Sequence, residues 1–155
     1  MSFVDFAHLK ERNIKNGILD YNRQKTGTPM RLEILDTAEL MRKELMGDKK
    51  PASGYLFPFL SGTKTGYEAY LEYNAALSRF NRNLKALKKA AGIASDVTSY
   101  TIRHSFAMAL KELNVPIEMI SELLGHKSIK TTQIYLRSFS LEKMTEVNST
   151  CLLYT

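Results

Sequence analysis

The sequence predicts a mainly α fold with a small antiparallel β-sheet, and three observations carry that expectation. Apolar residues recur at helical spacing along most of the chain beyond residue 36. One early stretch instead reads as two short strands around a glycine-containing turn. The 155 residues, 44% of them hydrophobic, suffice for one compact unit that buries about two-thirds of its unfolded surface.

Residues 1–35 are expected to hold a short helix and a hairpin. Phe3, Phe6 and Leu9 give an amphipathic start, and Asn16-Gly17 marks a turn. Ile18 to Arg23 and Met30 to Leu35 then read as strands, with Lys25 at the tip between them. A helical core follows over 36–135. Asp36 and Glu39 have capping-box spacing and open a helix over Leu40, Leu45 and Met46, which Gly47 and Pro51 stop. After a loop around Leu56-Phe-Pro-Phe59, the intervals between Tyr73, Leu77, Phe80, Leu84 and Leu87 predict one long helix from about 67 to 90, ending before Gly92. Thr98 begins the next helix, with Phe106, Leu110 and Leu113 on its buried face. Asn114-Val-Pro116 breaks it, and Pro116 suits the first turn of a helix carrying Ile117, Ile120 and Leu123 or Leu124. Gly125 is placed to end that helix in a left-handed cap. A short helix from Ser128 carries Tyr135. Over 136–155, Ser140 caps a last helix with Leu141, Met144 and Val147, before the apolar tail that starts at Cys151. No repeat, low-complexity tract or second domain is visible.

Twenty-two Lys and Arg against sixteen Asp and Glu leave +6 and a pI of about 9.4, so an anionic partner is expected. The excess is uneven: residues 1–31 carry +3, 32–78 carry −2, 79–103 carry +5 and 104–155 carry none. Arg79, Arg82, Lys85, Lys88, Lys89 and Arg103 make up the most basic run, and two such faces can frame a polyanion. One cysteine excludes an internal disulfide framework, and three histidines make no zinc-site pattern, so no metal or cofactor is expected. No stretch is long and apolar enough for a membrane span, nor does the start read as a signal peptide. A reduced, cytoplasmic setting with no membrane partner is the expectation.

Taken singly, Arg103, His126, Tyr135 and Lys25 read as a salt bridge, a helix-end donor, a packed phenol and a solvated charge. Together they offer the parts of a phosphoryl transfer without metal or nucleotide: a nucleophile, cationic donors for the phosphoryl oxygens and an acid for the leaving oxygen. The chain carries no Walker loop, dinucleotide fingerprint or acidic metal cluster, which weakens competing phosphate chemistries.

Three segments then stand out in order: Thr98-Ser-Tyr-Thr-Ile-Arg-His-Ser-Phe-Ala107, Ile120-Ser-Glu-Leu-Leu-Gly-His-Lys-Ser128 and Thr131-Thr-Gln-Ile-Tyr135. Twenty-three residues separate Arg103 from His126, and nine separate His126 from Tyr135. The pattern resembles the C-terminal catalytic domain of tyrosine recombinases, the phage-integrase family, and is most similar to integrases of conjugative and mobilisable elements. The resemblance implies that Tyr135 attacks a DNA phosphodiester to give a 3′-phosphotyrosyl bond. By the same resemblance Arg103 and His126 hold the phosphate, and Lys25 protonates the leaving 5′-oxygen. The basic run, with Arg23 and Lys127, is then expected to face double-stranded DNA.

Two positions depart from the family pattern. In Ser2-Phe-Val-Asp-Phe6 a serine stands where the family has its first arginine, so its charge must come from Arg12, Arg23 or another cation if it comes at all. Tyr100 stands where a histidine is commonest; a phenol with a pKa near 10 is a poor base but still donates to phosphate. His104, turned roughly 100° from Arg103 around the helix, is expected to be structural. The family's N-terminal core-binding domain has no counterpart here, so the chain is expected to be one catalytic domain of a longer enzyme. The resemblance also implies other recombinase protomers as partners, engaged through the C-terminal segment, together with accessory DNA-bending factors and residence on the nucleoid. A type IB topoisomerase-like relaxation, a catalytically impaired DNA-binding module and a chance match in a basic helical protein remain as alternatives.

Overall fold

The computed structural model describes residues 1–46 and 54–136. Within them lie six α-helices, one 3-10 turn (Glu11–Asn13) and one three-stranded antiparallel sheet, the expected class: α1 (Phe3–Ala7), β1 (Ile14–Lys15), β2 (Ile18–Asn22), β3 (Pro29–Glu33), α2 (Asp36–Met46), α3 (Gly66–Ala90), α4 (Ser99–Glu112), α5 (Ile117–Leu124) and α6 (Ile129–Tyr135). The last helix expected from the sequence, beginning at Ser140, and the tail at Cys151 lie outside the described residues.

The sheet has one strand more than the sequence suggested. Asn16 and Gly17 adopt φ of 51° and 74°, the two left-handed residues of a tight hairpin turn. They fold β1 onto β2 with Ile14 opposite Leu19 and Lys15 opposite Ile18. β2 continues into β3, from Ile18 opposite Glu33 to Asn22 opposite Pro29. The β2–β3 loop is closed by Gly27 N donating to Arg23 O at 2.8 Å, and Lys25 stands exposed at its tip.

The buried residues gather in three clusters. Phe3 and Ala7 of α1 pack with Leu60 and with Ala76 of α3, ringed by Phe59, Tyr73, Leu77 and Phe80; the Phe3 and Phe80 ring centres are 4.8 Å apart. Leu9, Tyr21, Met30 and Leu56 fill the space beneath the sheet. Ala107, Ile120, Leu124 and Leu136 join α4, α5 and α6. The loop before α3 is therefore core, with Leu56 and Leu60 both buried and Leu56 N bonded to Leu9 O.

Three local expectations are corrected. Glu39 does not close a capping box: its carboxylate takes two hydrogen bonds from Arg42, at 2.9 and 2.6 Å, because an i,i+3 guanidinium fork fits a carboxylate better than a backbone N–H does. In α4 the buried seam runs through Arg103, Ala107 and Leu110, while Phe106 and Leu113 face outward; the tight approach to α5 admits a methyl group but not a phenyl ring. The apolar seam of α3 is covered as far as Phe80, whereas Leu87 near its end is exposed.

Candidate functional site

The site forms where the third cluster meets the sheet. α4 starts at Thr98, whose hydroxyl accepts from Thr101 N at 3.2 Å while Thr101 Oγ1 accepts from Thr98 N at 2.6 Å, a reciprocal cap. Asn81 of α3 accepts from Ser99 N at 2.9 Å and so fixes this end of α4 against the long helix. One turn further along, Arg103 points inward on the buried seam.

α5 ends as the sequence predicts, on Gly125 at φ 64°. Gly125 N bonds Glu122 O at 2.8 Å and His126 N bonds Ser121 O at 2.9 Å. This turn presents its last carbonyls to two guanidinium groups. Arg103 Nη2 donates to Leu124 O, and Arg23 Nη1 donates to Gly125 O at 2.6 Å. The negative end of the helix thus faces positive charge on both sides. His126, the next residue, places Nε2 3.4 Å from Arg103 Nη2 and Nδ1 2.9 Å from the hydroxyl of Thr132 on α6. Burial, then the charges of Arg103 and Arg23, push its pKa below the ordinary value, so the ring is neutral at pH 7.

Arg23 corrects an expectation. Rather than facing DNA, it is 8% exposed, with Nε 3.4 Å from Asp5 Oδ2. Asp5 is wholly enclosed and also accepts from Gln24 N at 2.8 Å and from the Ser2 hydroxyl. Ser2, in the first-arginine position, is the N-cap of α1 and bonds inward to this carboxylate. A buried guanidinium needs such a partner, and one carboxylate placed by α1 supplies it.

The remaining expected residues are placed as follows. Tyr100 lies 62% exposed on α4, a turn before Arg103. Lys25 is two residues beyond Arg23 on the loop that Arg23 anchors. Arg79, Arg82, Lys85 and Lys89 are exposed along α3, Lys88 pairs with Asp96 at 3.1 Å, and Lys127 is exposed beside His126. His104 is half-buried next to Arg103. Tyr135 is the last residue of α6, and its side chain lies outside the described set. A groove of about 570 Å³ between β2, β3 and α5 opens at the edge of His126. Asp20, Glu118 and Glu122 against Arg31 make it unsuited to a phosphate backbone. Among the described residues no cluster of metal-ligating side chains occurs, and no helix is long and apolar enough to cross a membrane.

Asp5, Asn81 and Thr132 were missed by sequence reasoning. Only Asp5 left a signal there, the Ser-x-x-Asp spacing of an N-cap; Asn81 and Thr132 matter through contacts that require the fold.

The family model described as the phage integrase family matches residues 5–142. A tyrosine recombinase XerD of Lacticaseibacillus casei is 52% identical over 54 residues, 35% of this chain and 18% of that protein. A tyrosine recombinase XerC of Rickettsia typhi is 46% identical over 61 residues, 39% of this chain and 20% of that protein. Among solved structures, that of XerA recombinase superposes with a TM-score of 0.69 at 23% identity, covering 96% of this chain and 52% of the other. The Tn1549 transposon integrase in complex with a circular intermediate DNA gives 0.65 at 16% identity, covering 96% and 54%. The chain thus spans about half the length of the solved relatives.

Proposed function

Since the chain belongs to the phage integrase family, we propose that it is the catalytic part of a site-specific recombinase that cuts and rejoins double-stranded DNA through Tyr135. The observation that carries the reading is the pair Arg103 Nη2 and His126 Nε2, 3.4 Å apart and one short helix before that tyrosine. A guanidinium and an imidazole converging at this spacing suit the non-bridging oxygens of one phosphate.

In the forward step Tyr135 gives its phenolic proton to solvent as its oxygen attacks phosphorus and the bond to the 5′-oxygen breaks. Lys25 gives that oxygen its proton, leaving a 3′-phosphotyrosyl link and a 5′-hydroxyl. Attack by the 5′-hydroxyl of a partner strand reverses each transfer. One phosphodiester is exchanged for another ester of similar energy, so no nucleotide is consumed. Tyr100, exposed on α4, donates to the same phosphate. The position of the family's first arginine is filled by Ser2, which is occupied with Asp5; the compensating charge is that of Arg23, which is near enough to His126 to disfavour its protonation. Arg23 acts there as a fixed buried cation, held off direct contact by Asp5 and Gly125. Arg79, Arg82, Lys85, Lys89 and Lys127 supply contacts to the DNA backbone. Further protomers dock through residues 136–155, accessory bending proteins shape the DNA, and the enzyme works on the nucleoid.

The test is covalent trapping. The protein is incubated with nicked duplexes of randomised sequence, and adducts that survive detergent are counted. Tyr135→Phe should abolish them; adducts that persist in this variant, or none in the parent protein, would overturn the assignment. Strand exchange between two copies of a recovered site separates a recombinase from a topoisomerase-like enzyme, which would only relax supercoils. An impaired module would bind DNA and yield no adduct.

A further inference from the structure

Asp5 separates two polar sites. Its Oδ2 faces Arg23, and on another side it walls a cleft of about 300 Å³ that Lys10, Arg12 and Tyr55 also line. Arg23, Arg103 and His126 take no part in this cleft, so it is distinct from the site around Gly125. Lys10 Nζ sits 5.0 Å from the centre of the Tyr55 ring, whose face holds the ammonium in place. His8 stands edge-on to the same ring, 6.0 Å between centres, and its Nδ1 donates to Val4 O at 2.7 Å. Asn13 accepts from Lys10 N and donates to Asp20 O, each at 2.9 Å, which fixes the 3-10 turn carrying Arg12 to β2.

The charge of this cleft is positive and uncompensated. Among the described residues neither Lys10 nor Arg12 is paired with a carboxylate. Glu11, between them in sequence, lines a separate hollow with Glu39 and Arg42. The carboxylate of Asp5 is already engaged: Oδ1 accepts from Gln24 N at 2.8 Å, and Oδ2 accepts from the Ser2 hydroxyl and faces Arg23. The amides of Asn22 and Gln24, both exposed, complete the rim. An ammonium, a guanidinium and two amides around one small recess are donors matched to the oxygens of a single phosphate.

We propose that this cleft is a second phosphate site, where Lys10 and Arg12 seat a DNA backbone phosphate beside the one that is cut. The proposal rests on the recombinase reading for its ligand. Gln24, on the rim, directly precedes Lys25, and its N–H is tied to Asp5. A phosphate held by Lys10 and Arg12 therefore lies on one side of the start of the β2–β3 loop, with the site of Arg103 and His126 on the other. Binding there sets the strand against the loop that carries Lys25. Arg12 thus acts on a neighbouring phosphate and does not stand in for the family's first arginine at the cut one.

The experiment measures binding first and position second. Anisotropy of a labelled nicked duplex is followed across salt for the parent and for Lys10→Gln combined with Arg12→Gln. The variant should bind about tenfold more weakly at about 0.1 M salt, with a slope of log K on log salt smaller by about 0.9, the share of one phosphate. Neutral methylphosphonates are then placed one at a time beside the nick, and covalent trapping fixes the register. One position should slow trapping in the parent and have no further effect in the variant, while every other position acts alike in both. Affinity and slope equal to the parent's, or methylphosphonate effects that match between the two proteins at every position, refute the site. Inorganic phosphate that shifts the Asn22 and Gln24 amide resonances, with duplex affinity unchanged in the variant, would assign the cleft to a free phosphate and overturn the proposal as well. Should the double variant fail to fold, Arg12→Gln alone, at an exposed position, answers by the same measurements. Should the parent form no adduct at all, the recombinase reading falls, while anisotropy still judges the cleft.

Discussion

His126 stands where a small change in proton affinity alters both stability and chemistry. Burial and the charges of Arg103 and Arg23 hold its pKa below the ordinary value in the folded chain. The unfolded chain, with a pKa near 6.5, therefore binds more protons as pH drops below about 7. The resulting contribution to stability is present in full above the unfolded pKa and is lost as pH falls through the lowered one. We expect urea unfolding to show the parent losing more stability between pH 7.5 and 5 than His126→Asn does. Equal losses would place the pH dependence elsewhere. A phosphate between Arg103 and His126 opposes both cations, so short duplex DNA should reduce the parent's loss.

The long helix α3 carries its chemistry on the side away from the core. At about 100° per residue, Tyr73, Leu77 and Phe80 share one face, while Arg79, Arg82, Lys85 and Lys89 fall within roughly 120° of arc on the other. All four are exposed, and the ion pair of Lys88 with the well-exposed Asp96 contributes little to stability. Replacing the four by glutamine should leave folding unchanged and flatten the dependence of log K on log salt by about 0.9 for each phosphate no longer neutralised. Fluorescence anisotropy at several salt concentrations reads that slope, and an unaltered slope would leave the face as solvated surface. This helix was legible in the sequence because twenty-five residues repeat one spacing. β1 was not, since two residues show no periodicity, although Asn16-Gly17 signalled its turn. The buried face of α4 was misread because bulk suggested Phe106 and Leu113, whereas close helix approach selects Ala107.

Across the whole molecule, residues far apart in sequence meet through Arg23. Asp5, Arg23 and Gly125 span nearly the full described length, and their contacts tie α1 and the sheet to the helices that hold Arg103 and His126. Removing one partner of an enclosed ion pair leaves a charge without compensation, which costs about 3–5 kcal/mol. Asp5→Ala should lose that much in urea unfolding at pH 7. Asp5→Ala combined with Arg23→Met should recover part of it, and a double variant no better than the single would show that the carboxylate acts mainly through Ser2 and Gln24. Arg103 and His126, which the fold brings within 3.4 Å of each other, were readable from motif spacing. The burial of Arg23 was not, because a charged side chain on a hairpin reads as solvated until its partner, eighteen residues earlier, folds over it.

The grip of Arg23 on Gly125 is made to a main-chain oxygen, and every residue type has one. The outward side chains of α5 can therefore drift through mutation without loosening the joint. Position 125 is the exception. A methyl group there would come within 2.5 Å of Arg23 Cδ and 2.8 Å of Met30 Sδ, so variation is confined to the neighbours of the one residue with no side chain to change.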